Sequence, residues 1–184
     1  MTITPANAAL TVYQNATFSQ LMLITNADGT LVDFTGNELH MQARTSYFST
    51  APFIDISTLN GGILILLMPA GNWNAATNSP TLADGSGQNG QIYNVTAAGT
   101  QNLGSGAQTF AVGDYVQYNG SIWQKIAAGT QLFNVELLLT AAQTAALIPQ
   151  EGVYDLVTIN TLLTPNVENR ILQGSICISA GVTQ

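Results

Sequence analysis

The run Tyr115-Val-Gln-Tyr-Asn-Gly-Ser-Ile-Trp-Gln-Lys-Ile126 decides the fold class of this chain. Two apolar-rich segments flank Asn119-Gly120, and Asn-Gly suits a two-residue type I′ turn, whose central residues both take φ > 0. That turn sets Tyr118 opposite Ser121, Gln117 opposite Ile122 and Val116 opposite Trp123. Val116, Tyr118, Ser121 and Trp123 then share one face, with Tyr115, Gln117, Ile122 and Gln124 on the other. Gly113-Asp114 marks a further turn just before the first strand. The pattern predicts a β-hairpin.

Upstream of the hairpin, residues 70–90 are Asn, Gly, Ser, Thr and Pro with a single tryptophan, Trp73, which is loop composition. Further out, short strands alternate with turns. Residues 1–15 form an N-terminal arm, 16–25 a strand, and Asp28-Gly29 the tip of a turn. Leu39, Met41 and Ala43 alternate with His40, Gln42 and Arg44. Residues 52–56 and 63–68 read as strands on either side of Asn60-Gly61-Gly62. On the far side, residues 133–139, 153–159 and 170–179 are strands. Thr140 with Gln143 three residues on forms a capping box before an Ala-rich run, predicting one short helix that ends before Pro149.

About seven strands outside the middle stretch, at this spacing, predict an antiparallel β-sandwich. Its two parts, residues 1–70 and 130–184, are separated by a small hairpin-based module, residues 71–129, inserted in a loop. Loop insertions cost little when the loop ends stay close.

Composition narrows the function. The 184 residues carry only 3 Lys+Arg and 10 Asp+Glu, 7% charged in all, for a net charge of −7. Soluble domains usually hold about 25% charged residues. A neutral Asn/Gln/Thr surface suits either a rigid free β protein or a subunit whose faces neighbours cover, since charge is depleted at interface centres. Arg44, Lys125 and Arg170 are scattered, so neither nucleic acid nor an anionic membrane surface is an expected partner. The start Met1-Thr-Ile-Thr-Pro has no signal-peptide pattern, and the longest apolar run, at residues 63–69, is too short for a spanning helix. Cys177 is the single cysteine, so the fold rests on packing.

Chemistry-bearing constellations are sparse. The acids are dispersed, and Asp28, Asp84 and Asp114 occupy turn positions where Asp has a local structural use. Gly85-Ser-Gly87 lacks a following Lys or helix, so it is not a phosphate loop. One His and one Cys do not make a zinc site. Neither an enzyme, a metal nor a cofactor is expected.

Three resemblances add to this reading. Pro80-Thr-Leu-Ala-Asp-Gly, the Gly-rich run to Gly90, Val95-Thr-Ala-Ala-Gly-Thr, and residues 111–125 look like a small β module that recurs in bacteriophage tail and fibre proteins. Residues 31–44, residues 137–147, Val153-Tyr-Asp-Leu and Ile171-Leu-Gln-Gly-Ser-Ile resemble the N-terminal β-sandwich of phage upper baseplate proteins. In this second resemblance Gly152 and Tyr154 fit a Gly-X-Tyr strand start, and Leu172 and Gly174 fit the final strand. It implies a virion structural protein of the tail, baseplate or fibre-attachment region, assembled in the host cytoplasm as a homo-oligomer (trimer or hexamer) with other virion proteins. A capsid decoration or head-fibre protein is the alternative within that class. The words Gly113-Asp114, Val116, Tyr118-Asn119-Gly120 and Trp123 are also similar to chitin-type carbohydrate-binding modules. That likeness implies a rival role in contacting host surface glycan, with Trp73, Tyr115, Tyr118 and Trp123 as candidate glycan or partner contacts, because aromatic rings stack on sugars. The competing expectation is that Val116, Tyr118 and Trp123 form the module's own core.

Overall fold

Side chains that alternate at period two place every second residue on one face of a strand, and this pattern builds most of the molecule. The computed structural model describes residues 6–104 and 106–181; residues 1–5 of the expected arm lie outside them. The strands are β1 (Ala6–Asn7), β2 (Leu10–Tyr13), β3 (Phe18–Met22), β4 (Asn37–Arg44), β5 (Ile54–Ser57), β6 (Ile63–Ile65), β7 (Met68–Asn74) and β8 (Gln91–Ala97). They continue as β9 (Gly99–Asn102), β10 (Ala107–Phe110), β11 (Tyr115–Tyr118), β12 (Trp123–Ile126), β13 (Val135–Leu139), β14 (Gln150–Asn160) and β15 (Val167–Ser179), with a single helix among the described residues, α1 (Ala141–Ala145). The protein is mainly β, with several sheets and, among the described residues, no closed barrel, as expected of the sandwich class.

The chain divides into two compact units. One comprises residues 1–22, 34–64 and 135–184, the other residues 23–33 and 65–134. The second is wider than the 71–129 expected, and its added ends have a physical cause. Asn134, fully buried, accepts from Ile24 N and donates to Ile24 O, both at 2.8 Å, while its own carbonyl accepts from Leu66 N. One side chain thus imitates a strand neighbour for a segment 110 residues away.

In the first unit, a six-stranded sheet runs β1-β15-β14-β4-β5, with β2 also on β15. A three-stranded sheet runs β3-β13-β6. Each buries one face. Leu39, Met41 and Ala43 of β4 lie beside Tyr154 and Leu156 of β14, and Val135, Leu137 and Leu139 of β13 are buried likewise. A bulge after Leu156 leaves Ile171 without an opposite residue, so neighbours Ile171 and Leu172 both turn inward. The capping box forms as expected, with Gln143 N donating to Thr140 Oγ1 and Thr140 N to Gln143 Oε1. The buried Thr144 hydroxyl ties the helix to Ala16 O at 2.7 Å.

The arm departs from a purely antiparallel scheme. Residues 6–7 and 10–13 lie parallel to β15, Leu10 opposite Ile176 and Val12 opposite Ile178. A Cβ on Gly174 would collide with the Ala8 carbonyl, so the arm can approach only a glycine here. Tyr154, directly opposite Gly174, donates its hydroxyl to the same Ala8 O at 2.9 Å. Burial pushes the Tyr154 phenol up to about 12, which keeps it a neutral donor. Gly174→Ala is therefore expected to cost about 1–3 kcal/mol and to release the arm. Tyr154→Phe should cost about 1 kcal/mol. Thermal unfolding and amide exchange at Val12 check both; unchanged exchange at Val12 in Gly174→Ala would contradict the clamp.

Candidate functional site

The second unit holds the four aromatic candidates. Its main sheet runs β12-β11-β8-β7, with a separate β9-β10 hairpin. The predicted hairpin is β11-β12, but its register differs: Tyr118 pairs with Trp123, Gln117 with Gln124 and Val116 with Lys125. The expected type I′ turn does not form, because Asn119 keeps a negative φ and only Gly120 is left-handed, at +93°. The Asn119 side chain instead accepts from Ser121 N and Ile122 N, both at 3.0 Å, and so closes a four-residue loop. The slip is two residues, an even number, so Val116, Tyr118 and Trp123 still share a face.

That face is the core. Trp73, Val116, Tyr118 and Trp123 pack with Val95, Leu103 and Phe110. Trp73 meets Phe110 edge-on at 4.9 Å between centroids, and Tyr118 lies 5.2 Å from Trp123. Both indole N–H groups are used: Trp73 donates to Asn78 Oδ1 at 3.1 Å and Trp123 to Ser86 O at 2.9 Å. A Cβ at Gly87 would sit 2.7 Å from the Tyr118 ring and 2.9 Å from Trp123, so the glycine run is a close-fitting cover over rings. The expectation that Trp73, Tyr118 and Trp123 offer exposed ring faces is corrected: they are too enclosed to stack on a sugar or touch a partner. Tyr115, on the opposite face, is half-buried and is the one candidate that retains access. Trp73 also sits within β7, parallel to β8, where loop was expected, and the expected strand at residues 63–68 ends with β6 at Ile65.

Asp114 is a structural centre. Its carboxylate accepts from Ala111 N at 2.7 Å and Ala128 N at 2.9 Å and lies 2.9 Å from Lys125 Nζ. The Ala111 amide foremost, then Lys125, holds it down at about 2 against the usual 3.8, and these bonds outweigh the burial that opposes ionisation. Lys125 continues to Thr109 O at 2.8 Å, so one ion pair ties the β10–β11 and β12–β13 connections to strand β10.

The other polar cluster lies on the outer face of the six-stranded sheet. Asp55 accepts from Gln42 Nε2 at 2.8 Å and pairs with His40 Nε2 at 2.7 Å. Burial opposes ionisation of Asp55, but bonds from His40 and Gln42 outweigh it and hold its carboxyl below the usual range. The Arg44 guanidinium donates to Gln42 Oε1. The nearest hydroxyl in register, Ser57 opposite His40, already accepts from Leu59 N and Asn60 N. Among the described residues no three His, Cys, Asp or Glu side chains gather in a metal-binding arrangement, and no helix is long and apolar enough to cross a membrane. No protein-family model matches the chain, and no curated protein matches it either.

Two outcomes follow for the second unit. Trp123→Ala should cost about 3–5 kcal/mol by denaturant unfolding, as for a core ring; a loss below about 0.5 kcal/mol would mark an exposed one. The folded-state pKa of Asp114 lies below its unfolded value, so its contribution is present above about pH 4 and is lost as pH falls toward about 2. The Tm gap between wild type and Asp114→Asn should thus be widest near neutral pH and close toward pH 2. A gap independent of pH would contradict the clamp.

Proposed function

We propose that this chain is a non-enzymatic structural subunit of a bacteriophage virion, an adaptor in the tail, baseplate or fibre-attachment region that assembles as a trimer or hexamer. The supporting observation is a surface with little ionic cover and large apolar side chains at loop tips. Each of the three basic residues is engaged within the chain: Lys125 with Asp114, Arg170 with Asp155 at 3.0 Å, and Arg44 with Gln42. Phe48 is 97% exposed, Leu59 and Leu162 82% each, and Leu163 and Val167 flank the same β14-β15 turn as Leu162. Apolar groups grouped at a hairpin end suit burial against neighbouring subunits. The resemblance of residues 31–44, 137–147, 153–156 and 171–176 to phage baseplate sandwiches supports the same reading. These residues supply β4, α1 and parts of β13, β14 and β15.

The mechanism is mechanical. The first unit presents neutral faces and apolar loop tips to neighbours, and the second serves as spacer or clasp. A capsid decoration or head-fibre position uses the same surfaces. Glycan contact through the aromatics of the second unit loses its support, since three of the four rings are core. Size-exclusion chromatography with light scattering tests the reading. A stable trimer or hexamer at about 10 μM is expected, weakened in Leu162→Asp; a monomer at that concentration would contradict it.

A further inference from the structure

The start of β15 lies at an open edge of the six-stranded sheet. On one side β15 pairs with β14 from Val167 to Ile178, apart from the bulge at Ile171. Its other side takes β1 at Leu172 and Gln173 and β2 from Ile176 to Ser179. Among the described residues, 167–170 therefore have a strand on one side alone, and all four are exposed. Such an edge presents unpaired N–H and C=O groups, a template for another strand. The edge of β5 is closed by contrast. Asn60 takes Ser57 N at 2.8 Å and Asp55 O at 3.2 Å, two of the groups through which β5 would add a neighbour.

The charges on this edge select the partner. Glu168 and Arg170 flank Asn169 and, two residues apart on a strand, share a face. On that outer face Gln42, Asp155 and Gln173 stand in register, and Arg170 reaches this row, with Nη2 3.0 Å from Asp155 and Nη1 donating to Gln173 Oε1 at 3.4 Å. These bonds hold the guanidinium in place, while about half of the side chain stays exposed and its further N–H groups can serve another carboxylate. Glu168 forms no ion pair among the described residues. A second copy laid antiparallel and centred on Asn169 sets Glu168 opposite the partner's Arg170, and Arg170 opposite the partner's Glu168. Directly opposite side chains have Cβ atoms about 5 Å apart, where opposite charges stabilise and like charges destabilise. A parallel copy sets each charge against itself, and an antiparallel one centred on Glu168 or Arg170 does so at that position. The edge also runs on from the exposed Leu162 and Leu163. Burial of that tip supplies area that so short a strand pair lacks, since a standard interface uses roughly 20–30 residues a side.

We propose that residues 167–170 are a two-fold, antiparallel docking edge for a second copy of this chain, which joins two sheets into one through reciprocal Glu168–Arg170 pairs about Asn169. This rests on the homo-oligomer proposed above and narrows it. A two-fold contact belongs to even-numbered assemblies, so the hexamer, built as three such pairs, replaces the trimer.

Size-exclusion chromatography with light scattering on the full chain and two charge-reversed variants, at about 10 μM, tests it. The wild type is expected to be a hexamer. Glu168→Arg and Arg170→Glu, each alone, set like charges opposite one another and should reduce it to a trimer. An equimolar mixture of the two variants should restore the hexamer, because each then supplies the charges the other lacks; a folding fault in either would not be mended by mixing. Asn169→Cys in a Cys177→Ser background should oxidise to an intermolecular disulfide, whereas Glu168→Cys, offset from its own copy across the two-fold, should not. A wild-type trimer would overturn the pairing and leave the assembly proposed above standing. A wild-type dimer, broken in both variants and restored on mixing, would keep the pairing and overturn that assembly. A monomer would overturn both. A hexamer untouched by either variant, a mixture that fails to reassociate, or association only after removal of residues 1–5, which would assign the edge to the chain's own start, would each overturn the pairing.

Discussion

A chain with so few ionic side chains must satisfy the backbone of its connections by other means, and short amide and carboxylate side chains do it. Buried N–H and C=O groups without partners cost about as much as lost hydrogen bonds. Asn134 takes both groups of Ile24. Asn78 accepts from Leu82 N and donates to Leu82 O, and its carbonyl oxygen also takes the Trp73 indole. Asn60 holds Ser57 N, Gly62 N and Asp55 O around one turn. Asp114 is the charged version of the same device. Irregular segments thereby acquire the definition that ladders give to strands.

Once the connections are held, glycine sets how closely they pack. Gly174 admits the Ala8 carbonyl beneath Tyr154, and Gly87 lies against the Tyr118 and Trp123 rings. The space of the missing Cβ is taken by a backbone carbonyl at Gly174 and by aromatic rings at Gly87. In each unit a glycine thus lets a backbone segment close onto its neighbour beside a large ring.

Much of this was legible in the sequence, and the limits are instructive. Alternation in residues 39–44 and 115–118 marked strands and their buried faces, and Thr140 with Gln143 marked the helix. The hairpin faces were right although the register was not, because the Asn119 side chain replaced the expected left-handed backbone and the slip was even. The parallel arm was missed because parallel pairing has no turn signature. Trp73 was assigned to a loop from its polar neighbours, though a lone large ring among Asn, Gly and Thr already pointed to burial. Asn134 gave no signal, since nothing local announces a partner 110 residues away. The outer-face row was half visible: alternation with Leu39, Met41 and Ala43 sets His40, Gln42 and Arg44 on the opposite face, but the alignment of Gln42 with Asp155 and Gln173 needed the register.

For function, the same economy of charge is the link. A surface held together by internal amide bonds leaves few ionic groups pointing outward, and that leaves apolar loop tips and a polar sheet face as the available contacts. The central claim is that side chains give the connections strand-like backbone bonding. Native-state hydrogen exchange at the amides of Ile24, Leu82, Ala111 and Ala128 tests it most directly. Protection matching the strand amides of β8 and β11 is the predicted result; exchange as fast as an exposed loop at these four would contradict it.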